Sequence, residues 1–149
     1  MVTYNYADED GLKEFRKGLD KALNESAVQR VIIIVSIPKG VDKNSLSPHF
    51  LIYYNGPSDY GLFGGLKDHQ LATELKHSFD ALICFGVMKK HLKATLRQTE
   101  IGKKILVNSE LTQDNSYDLE LNSASDSPSE VIQFVVETLQ KIDAHEPQL

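Results

Sequence analysis

The sequence predicts a three-layer α/β domain, in which helices cover both faces of a mainly parallel sheet of about five strands. Two observations support this fold class. Strand-like and helix-like segments alternate along the chain, as they do where helices connect parallel strands. The segment at residues 30–37, RVIIIVSI, is apolar nearly throughout rather than alternating, which is typical of a strand covered on both faces.

Length and composition predict one folded domain over residues 1–149, with a disordered tail at 144–149. A chain of 149 residues can bury a core without disulfides or metals. Its 41% hydrophobic and 25% charged residues match globular proteins and are too apolar for intrinsic disorder.

The first half of the chain contains one predicted helix and two predicted strands. The helix covers residues 8–25, because apolar residues recur there every three or four positions and Asp8 or Asp10 can cap its start. The strand at 30–37 follows. A second strand is predicted at 50–54, where aromatic and β-branched residues dominate.

The second half continues the alternation. A helix over residues 67–77 has Leu71 and Leu75 one turn apart on its inward side. The remaining predicted elements are a strand at 79–86, a helix at 87–98, strands at 104–107 and 117–121, and a C-terminal helix that a capping box at 127–130 begins. Such an order of elements predicts a flavodoxin-like or Rossmann-like arrangement.

The segment at residues 79–86, FDALICFG, is predicted to be the central strand of the sheet. Asp80 is expected at the mouth of this strand, and Cys84 is expected to be a small core residue rather than a reactive thiol. Gly86 turns the chain into the next helix, whose inner stripe is predicted to include Val87.

The stretch at residues 55–66, NGPSDYGLFGGL, is the most irregular part of the chain. A phosphate-binding loop needs G-x-G-x-x-G or G-x-x-x-x-G-K-[ST], and neither pattern is present. Its glycines are therefore interpreted as permitting tight turns and positive φ angles. Tyr60 and Phe63 are interpreted either as exposed aromatic residues or as anchors packed on the core.

Ligands of parallel α/β sheets bind beyond the carboxyl ends of the strands. Six residues at or near the predicted strand ends are candidates for contacting a small anionic ligand there: Ser36, Lys39, Gly64, Gly65, Lys67 and Asn108. No spacing of cysteine or histidine resembles a metal motif, and the sequence predicts no cofactor.

Enzymatic activity is left open and is not favoured, because no paired carboxylates, triad or metal cluster is evident. The sharpest enzymatic hypothesis gives a general-base role to His69 or His77, which precede the predicted central strand. General-base catalysis needs a partner placed to receive or deliver the proton, and the sequence shows none beside either histidine. No catalytic residue is assigned.

Charge and cysteine content restrict the expected partners and location. The net charge of −5 argues against a non-specific nucleic-acid binder. The basic residues of helix 87–98 are interpreted as its solvated face, with a local basic patch as the alternative. Cys84 is the single cysteine and residues 1–10 are unlike a secretory signal, which predicts a cytoplasmic protein. The apolar runs are strand-length, so the sequence predicts no membrane-spanning segment and no membrane partner.

Three segments resemble an uncharacterised family of small Bacteroidetes proteins, a domain of unknown function. They are YGLFGGLKD at 60–68, FDALICFG at 79–86, and YDLEL at 117–121 with the helix that follows it. The resemblance covers roughly residues 28–142 and implies a truncated version of the α/β domain found in nucleotide-sugar glycosyltransferases. The chain departs from that pattern at 98–108, QTEIGKKILVN, and no transferase activity is inferred.

Two functional hypotheses follow. The first is a non-enzymatic interaction protein, with a homo-oligomer as one expected form, whose loop at 55–66 contacts the partner. The second is binding or turnover of a small anionic ligand, such as a nucleotide or sugar phosphate, at the carboxyl ends of the strands.

Overall fold

The computed structural model describes residues 1–24, 30–107, 116–122 and 128–145. It contains six strands and four α-helices in the described part of the chain. The strands are β1 (Val2–Asn5), β2 (Ile33–Ser36), β3 (Ile52–Asn55), β4 (Phe79–Phe85), β5 (Ile101–Val107) and β6 (Leu119–Leu121). The helices are α1 (Glu9–Asn24), α2 (His69–Glu74), α3 (Lys90–Leu96) and α4 (Pro128–His145). The α/β fold class is confirmed.

All strand pairs are parallel, and the six strands follow the order β3-β2-β1-β4-β5-β6. The prediction of about five strands was one short, because it did not include β1. Residues 2–5 are too few to show a period, and the acidic residues after them made the whole segment look like a polar terminus. β1 nevertheless lies in the interior of the sheet, between β2 and β4.

Burial confirms the strands predicted from uniformly apolar sequence. All four residues of β2 are buried, as expected of a strand covered on both faces. In β4, Leu82, Ile83 and Cys84 are buried, whereas Asp80 is exposed. β4 pairs with β1 and β5, so it lies at the centre of the sheet.

The chain divides into two compact units. The first unit comprises Met1–Ala7 and Val31–Asn122, and it contains the whole sheet with α2 and α3. Its core joins apolar residues of the strands to the inward sides of the two helices, and the fully buried members are Ile34, Leu71, Leu82, Cys84, Leu92 and Leu106. Burying each large apolar side chain of this kind stabilises the fold by about 1.5–3 kcal/mol.

The two helices of the first unit begin differently, since a side chain caps α2 but none caps α3. The Asp68 carboxylate accepts hydrogen bonds from the backbone N–H groups of Gln70 (3.1 Å) and Leu71 (3.2 Å), which starts α2. Helix α3 begins at Lys90, three residues later than predicted. Lys89, directly before it, is extended, and Val87 lies outside the helix and is 48% exposed, so the predicted place of Val87 on an inner stripe was wrong.

The second unit comprises Asp8–Arg30 and Ser123–Leu149, and in it α1 and α4 pack against each other. Of the two predicted caps of α1, Asp8 is the one observed. Its carboxylate accepts from the N–H of Gly11 at 2.6 Å, and its carbonyl accepts from Leu12 at 3.1 Å. Helix α4 begins at Pro128, as the capping-box pattern predicted, while Ser127 and residues 146–149 lie outside the described residues.

Candidate functional site at the carboxyl edge of the sheet

Three polar residues form a row at the carboxyl ends of β1, β2 and β3. Asn5 is in register with Ser36, and Ser36 is in register with Asn55. Registered residues of parallel strands project from the same face of a sheet. Ser36 and Asn55 are both buried, and each is only 4% exposed. The sheet therefore carries a polar row, buried at Ser36 and Asn55 and partly exposed at Asn5, at the edge where α/β proteins bind ligands.

The row ends in an unsatisfied amide. The Asn55 Oδ1 atom accepts a hydrogen bond from the Tyr60 hydroxyl at 2.8 Å. The Asn55 Nδ2 atom is buried and has no hydrogen-bond partner. A buried donor without a partner costs about 1–3 kcal/mol, so a polar group bound at this position would be stabilising.

The sheet order places a topological switch point between β1 and β4, because the chain continues from β1 to β2 on one side and from β4 to β5 on the other. Asn5 spans this point, and its Nδ2 atom donates to the Val87 carbonyl at 2.9 Å. Gly86 has a φ of +88°, and a Cβ atom on it would lie 3.0 Å from Asn5 Nδ2. Asn5, Gly86 and Val87 therefore occupy the place at the switch point where a ligand would come closest to the sheet.

A buried carboxylate organises the loop that follows β3. Asp59 is 7% exposed; one carboxylate oxygen accepts from the Gly56 N–H at 2.8 Å, and the other is ion-paired with the Lys43 ammonium. Its carbonyl accepts from the Lys67 N–H at 2.7 Å. Hydrogen bonds to a charged group contribute about 1.5–3 kcal/mol each, so Asp59 fixes both ends of this loop.

The middle of the loop is a narrow turn, residues 61–65, which we call the tip. An isolated antiparallel bridge joins Tyr60 to Leu66 at its base. The Gly61 N–H donates to the Gly65 carbonyl at 2.7 Å, and the Gly64 N–H donates to the Gly61 carbonyl at 3.0 Å. Gly64 has a φ of +82°, which side chains with a Cβ atom rarely adopt. The tip is therefore a hydrogen-bonded turn rather than an unstructured loop.

The tip exposes two large apolar side chains, Leu62 at 95% and Phe63 at 98%. Of the two aromatic residues interpreted either way from the sequence, Tyr60 is buried and anchors the loop, whereas Phe63 is exposed. Burial raises the pKa of Tyr60, so its hydroxyl stays protonated and can donate to Asn55.

The start of α3 lies against the base of the tip. The His91 ring stacks on Tyr60 with 5.0 Å between ring centroids and 25° between ring planes. A Cβ atom on Gly64 would lie 3.9 Å from His91 Nδ1. Four exposed basic residues occur here, and we call them the basic collar: Lys67, Lys89, Lys90 and His91. Residues 60–67 and 86–91 contain no acidic residue.

The six residues predicted to contact an anionic ligand fall in different places. Ser36 is buried in the polar row, and Lys39 is exposed after β2. Gly64 and Gly65 lie in the tip, Lys67 is exposed in the basic collar, and Asn108 lies outside the described residues. The carboxyl edge thus holds all five candidates that fall among the described residues, but in different settings: Ser36 is buried in the sheet, whereas Lys39 and Lys67 are exposed.

Two residues of this edge are not among the six contacts predicted from the sequence. Asn5 is absent because β1 was not predicted, its four residues being too few to show a period. Asn55 lies at the carboxyl end of a predicted strand, but nothing in the sequence shows that its amide is buried. The sequence contains one sign of an exposed apolar tip, the dipeptide Leu62-Phe63, which glycines flank on both sides.

The candidate catalytic groups do not form a site. Cys84 is buried, and burial raises the pKa of its thiol, so it is not a nucleophile in the folded protein. His69 and His77 are both exposed, at the first turn of α2 and after its end. Among the described residues, no group of three or more His, Cys, Asp or Glu could hold a metal ion.

A second surface feature lies beside β3. It is an open depression of about 390 Å³, bounded by residues before β3, in β3 and at the start of α2. The lining residues are Lys43, Asn44, His49, Phe50, Ile52, Tyr53, Tyr54, Asp68 and Gln70. Phe50 is 89% exposed and stacks on His49 with 5.1 Å between ring centroids.

We find no match to the chain among family models, curated proteins or solved structures. None of the helices in the described residues is long and apolar enough to cross a membrane. The function must therefore be inferred from the geometry of the carboxyl edge.

Proposed function

We propose that the chain is a non-enzymatic interaction domain that contacts its partner through the tip at residues 61–65. One observation carries the proposal: Leu62 and Phe63 are almost fully exposed on a turn that hydrogen bonds hold in a defined conformation. Exposing two adjacent large apolar side chains favours association, because removing them from water is favourable.

The base of the tip supports the same proposal. The Tyr60 side chain is held by Asn55 and stacked on His91, and the Asp59 carboxylate holds Gly56. A contact surface built on such a base is pre-organised, so little conformational entropy is lost when a partner binds. Within this proposal, a homo-oligomer is one form of the interaction, and the location is cytoplasmic, which the single cysteine supports.

A crosslinking experiment tests the proposal. A photoreactive phenylalanine analogue is placed at Phe63 or, as the matched control, at Phe50, which is also exposed but precedes β3 at the opposite edge of the sheet. We expect crosslinks, to a second copy or to another macromolecule, that concentrate at position 63 and decrease when Leu62 is replaced by serine. Equal crosslinking from positions 63 and 50 contradicts the proposal.

The second candidate function is binding of a small anionic ligand, and the unpartnered Asn55 Nδ2 atom in the polar row favours it. The same preparations distinguish the two functions. A ligand present at 100 times its dissociation constant stabilises the folded state by about 2.7 kcal/mol. Thermal denaturation with nucleotides and sugar phosphates should therefore reveal such a ligand, and the Leu62→Ser variant should respond equally, because Leu62 is not in the polar row.

A further inference from the structure

The shape and size of the tip restrict the kind of partner that can bind it. Its exposed apolar surface comes from Leu62 and Phe63, which together offer on the order of 300 Å². A specific protein interface buries about 1,200–2,000 Å² in total. Two side chains on a narrow turn supply only a small part of that area, so a protein partner would have to contact further surface beside them. They are large enough to enter the boundary between lipid headgroups and acyl chains, which needs no complementary protein surface.

The two segments that carry the tip and the collar, residues 60–67 and 86–91, have charges of one sign. The collar residues Lys67, Lys89, Lys90 and His91 are exposed, and the two segments that carry them contain no acid. The chain as a whole has a net charge of −5, so these two segments differ in sign from the average of the molecule. Two acids border the first segment: Asp59 is buried and paired with Lys43, and the Asp68 carboxylate accepts the N–H groups that begin α2. A basic surface of this kind is complementary to anionic lipid headgroups.

The half-exposed Val87 extends the apolar surface at the same edge. It follows β4 directly, and its carbonyl is fixed by the hydrogen bond from Asn5. It also precedes Lys89 and Lys90, so an exposed apolar side chain lies close in sequence to two of the collar lysines. Side chains of both kinds are found where proteins lie on the surface of a bilayer.

We propose that the tip docks on an anionic lipid bilayer, with Leu62 and Phe63 entering the interfacial region and the basic collar contacting the headgroups. The inference rests on the proposed interaction function and names its partner. The sequence predicted no membrane partner because no segment can span a bilayer, but docking on the surface needs no spanning segment.

The test uses intrinsic fluorescence, because the chain contains no tryptophan. Phe63→Trp places a single tryptophan on the tip, and Phe50→Trp places one at an equally exposed control position. Both proteins are titrated with vesicles of phosphatidylcholine, with and without phosphatidylserine. We expect the emission of the Phe63→Trp protein to shift to shorter wavelengths only with phosphatidylserine present, and the emission of the Phe50→Trp protein not to shift.

A charge variant tests the collar separately. Lys89→Gln with Lys90→Gln, made in the Phe63→Trp chain, should weaken vesicle binding, since each lysine near an anionic surface contributes roughly five-fold in affinity. Lys76→Gln with Arg97→Gln, which changes two exposed basic residues that follow the ends of α2 and α3 and lie outside the collar, is the matched control and should bind within about two-fold of the parent. Circular dichroism verifies that every variant is folded.

Two results would overturn the inference. One is the absence of any shift of Phe63→Trp emission with phosphatidylserine vesicles, and the other is an equal shift with phosphatidylcholine alone. If vesicles cause no shift of the Phe63→Trp emission while crosslinks from position 63 to a protein persist, the partner is a protein and the proposed interaction function stands. If the Phe63→Trp emission does not shift with vesicles and position 63 gives no more crosslinks than position 50, both proposals fail.

Discussion

At the scale of single residues, the burial of Cys84 makes the stability of the fold depend on pH. Burial raises the pKa of its thiol above the ordinary value of 9.0, and the nearby Thr3 and Tyr117 hydroxyls oppose this only in part. The buried position of Cys84 was predictable, because free cysteine is among the most often buried residue types and lies here within an apolar run of strand length. The shift in its pKa was not predictable, because it depends in part on side chains from β1 and from the segment before β6, which are far away in the sequence.

The raised pKa predicts a loss of stability at alkaline pH. Above pH 9 the unfolded chain releases the thiol proton first, so the folded state holds more protons and its stability falls as the pH rises. The Tyr60 pKa is raised from 10.0 and adds to the fall at higher pH. We expect urea denaturation of the wild type to show a larger decrease in unfolding free energy between pH 7 and pH 10 than that of Cys84→Ala. An equal decrease in both proteins would remove Cys84 as the cause.

At the scale of elements, the boundaries that the sequence could not locate are those that tertiary contacts decide. The periodicity of helix 87–98 suggested a start at Val87, yet α3 begins at Lys90. The Val87 carbonyl accepts a hydrogen bond from the Asn5 side chain, and Val87 lies outside the helix. The partner in that bond is 82 positions away, so no local pattern predicts it. The capped start of α2 depends on Asp68 alone and was predicted to within two residues.

The connection between β4 and α3 is therefore expected to be sensitive to substitution at Gly86. Alanine there must adopt a φ near +88°, and its Cβ atom would lie 3.0 Å from Asn5 Nδ2. The left-handed conformation alone costs about 1–2 kcal/mol for a residue with a side chain. We expect Gly86→Ala to lower the free energy of unfolding by about that amount or more, as measured by urea denaturation.

Gly65→Ala is the matched control for this substitution. A Cβ atom at Gly65 has no atom within 4 Å, and the backbone there is not in the left-handed region. Its unfolding free energy should lie within about 0.5 kcal/mol of the wild type. If Gly86→Ala is as stable as Gly65→Ala, the turn after β4 does not require the conformation described above.

At the scale of the whole sheet, the strand that the sequence did not reveal holds the most consequential position. The hydrophobic patterns were sufficient for the fold class, because five of the six strands carry them. The strand order was not predictable from these patterns, since pairing depends on which strands meet in space rather than on their sequence order. β1 is the only described strand that pairs with both β2 and β4, so it joins β3 and β2 to β4, β5 and β6.

A single charge placed in β1 should therefore disrupt the entire sheet. Val2 is 4% exposed and is in register with Ile33 and Ile83, so a carboxylate there would be buried among apolar side chains without a partner. Burying an unpaired charge costs several kcal/mol, which is comparable to the full stability of a domain this size. We expect Val2→Asp to lose its cooperative thermal transition by circular dichroism. Phe50→Asp adds the same charge at an 89% exposed position and should unfold like the wild type, whereas a cooperative transition in Val2→Asp would show that the sheet tolerates the loss of β1.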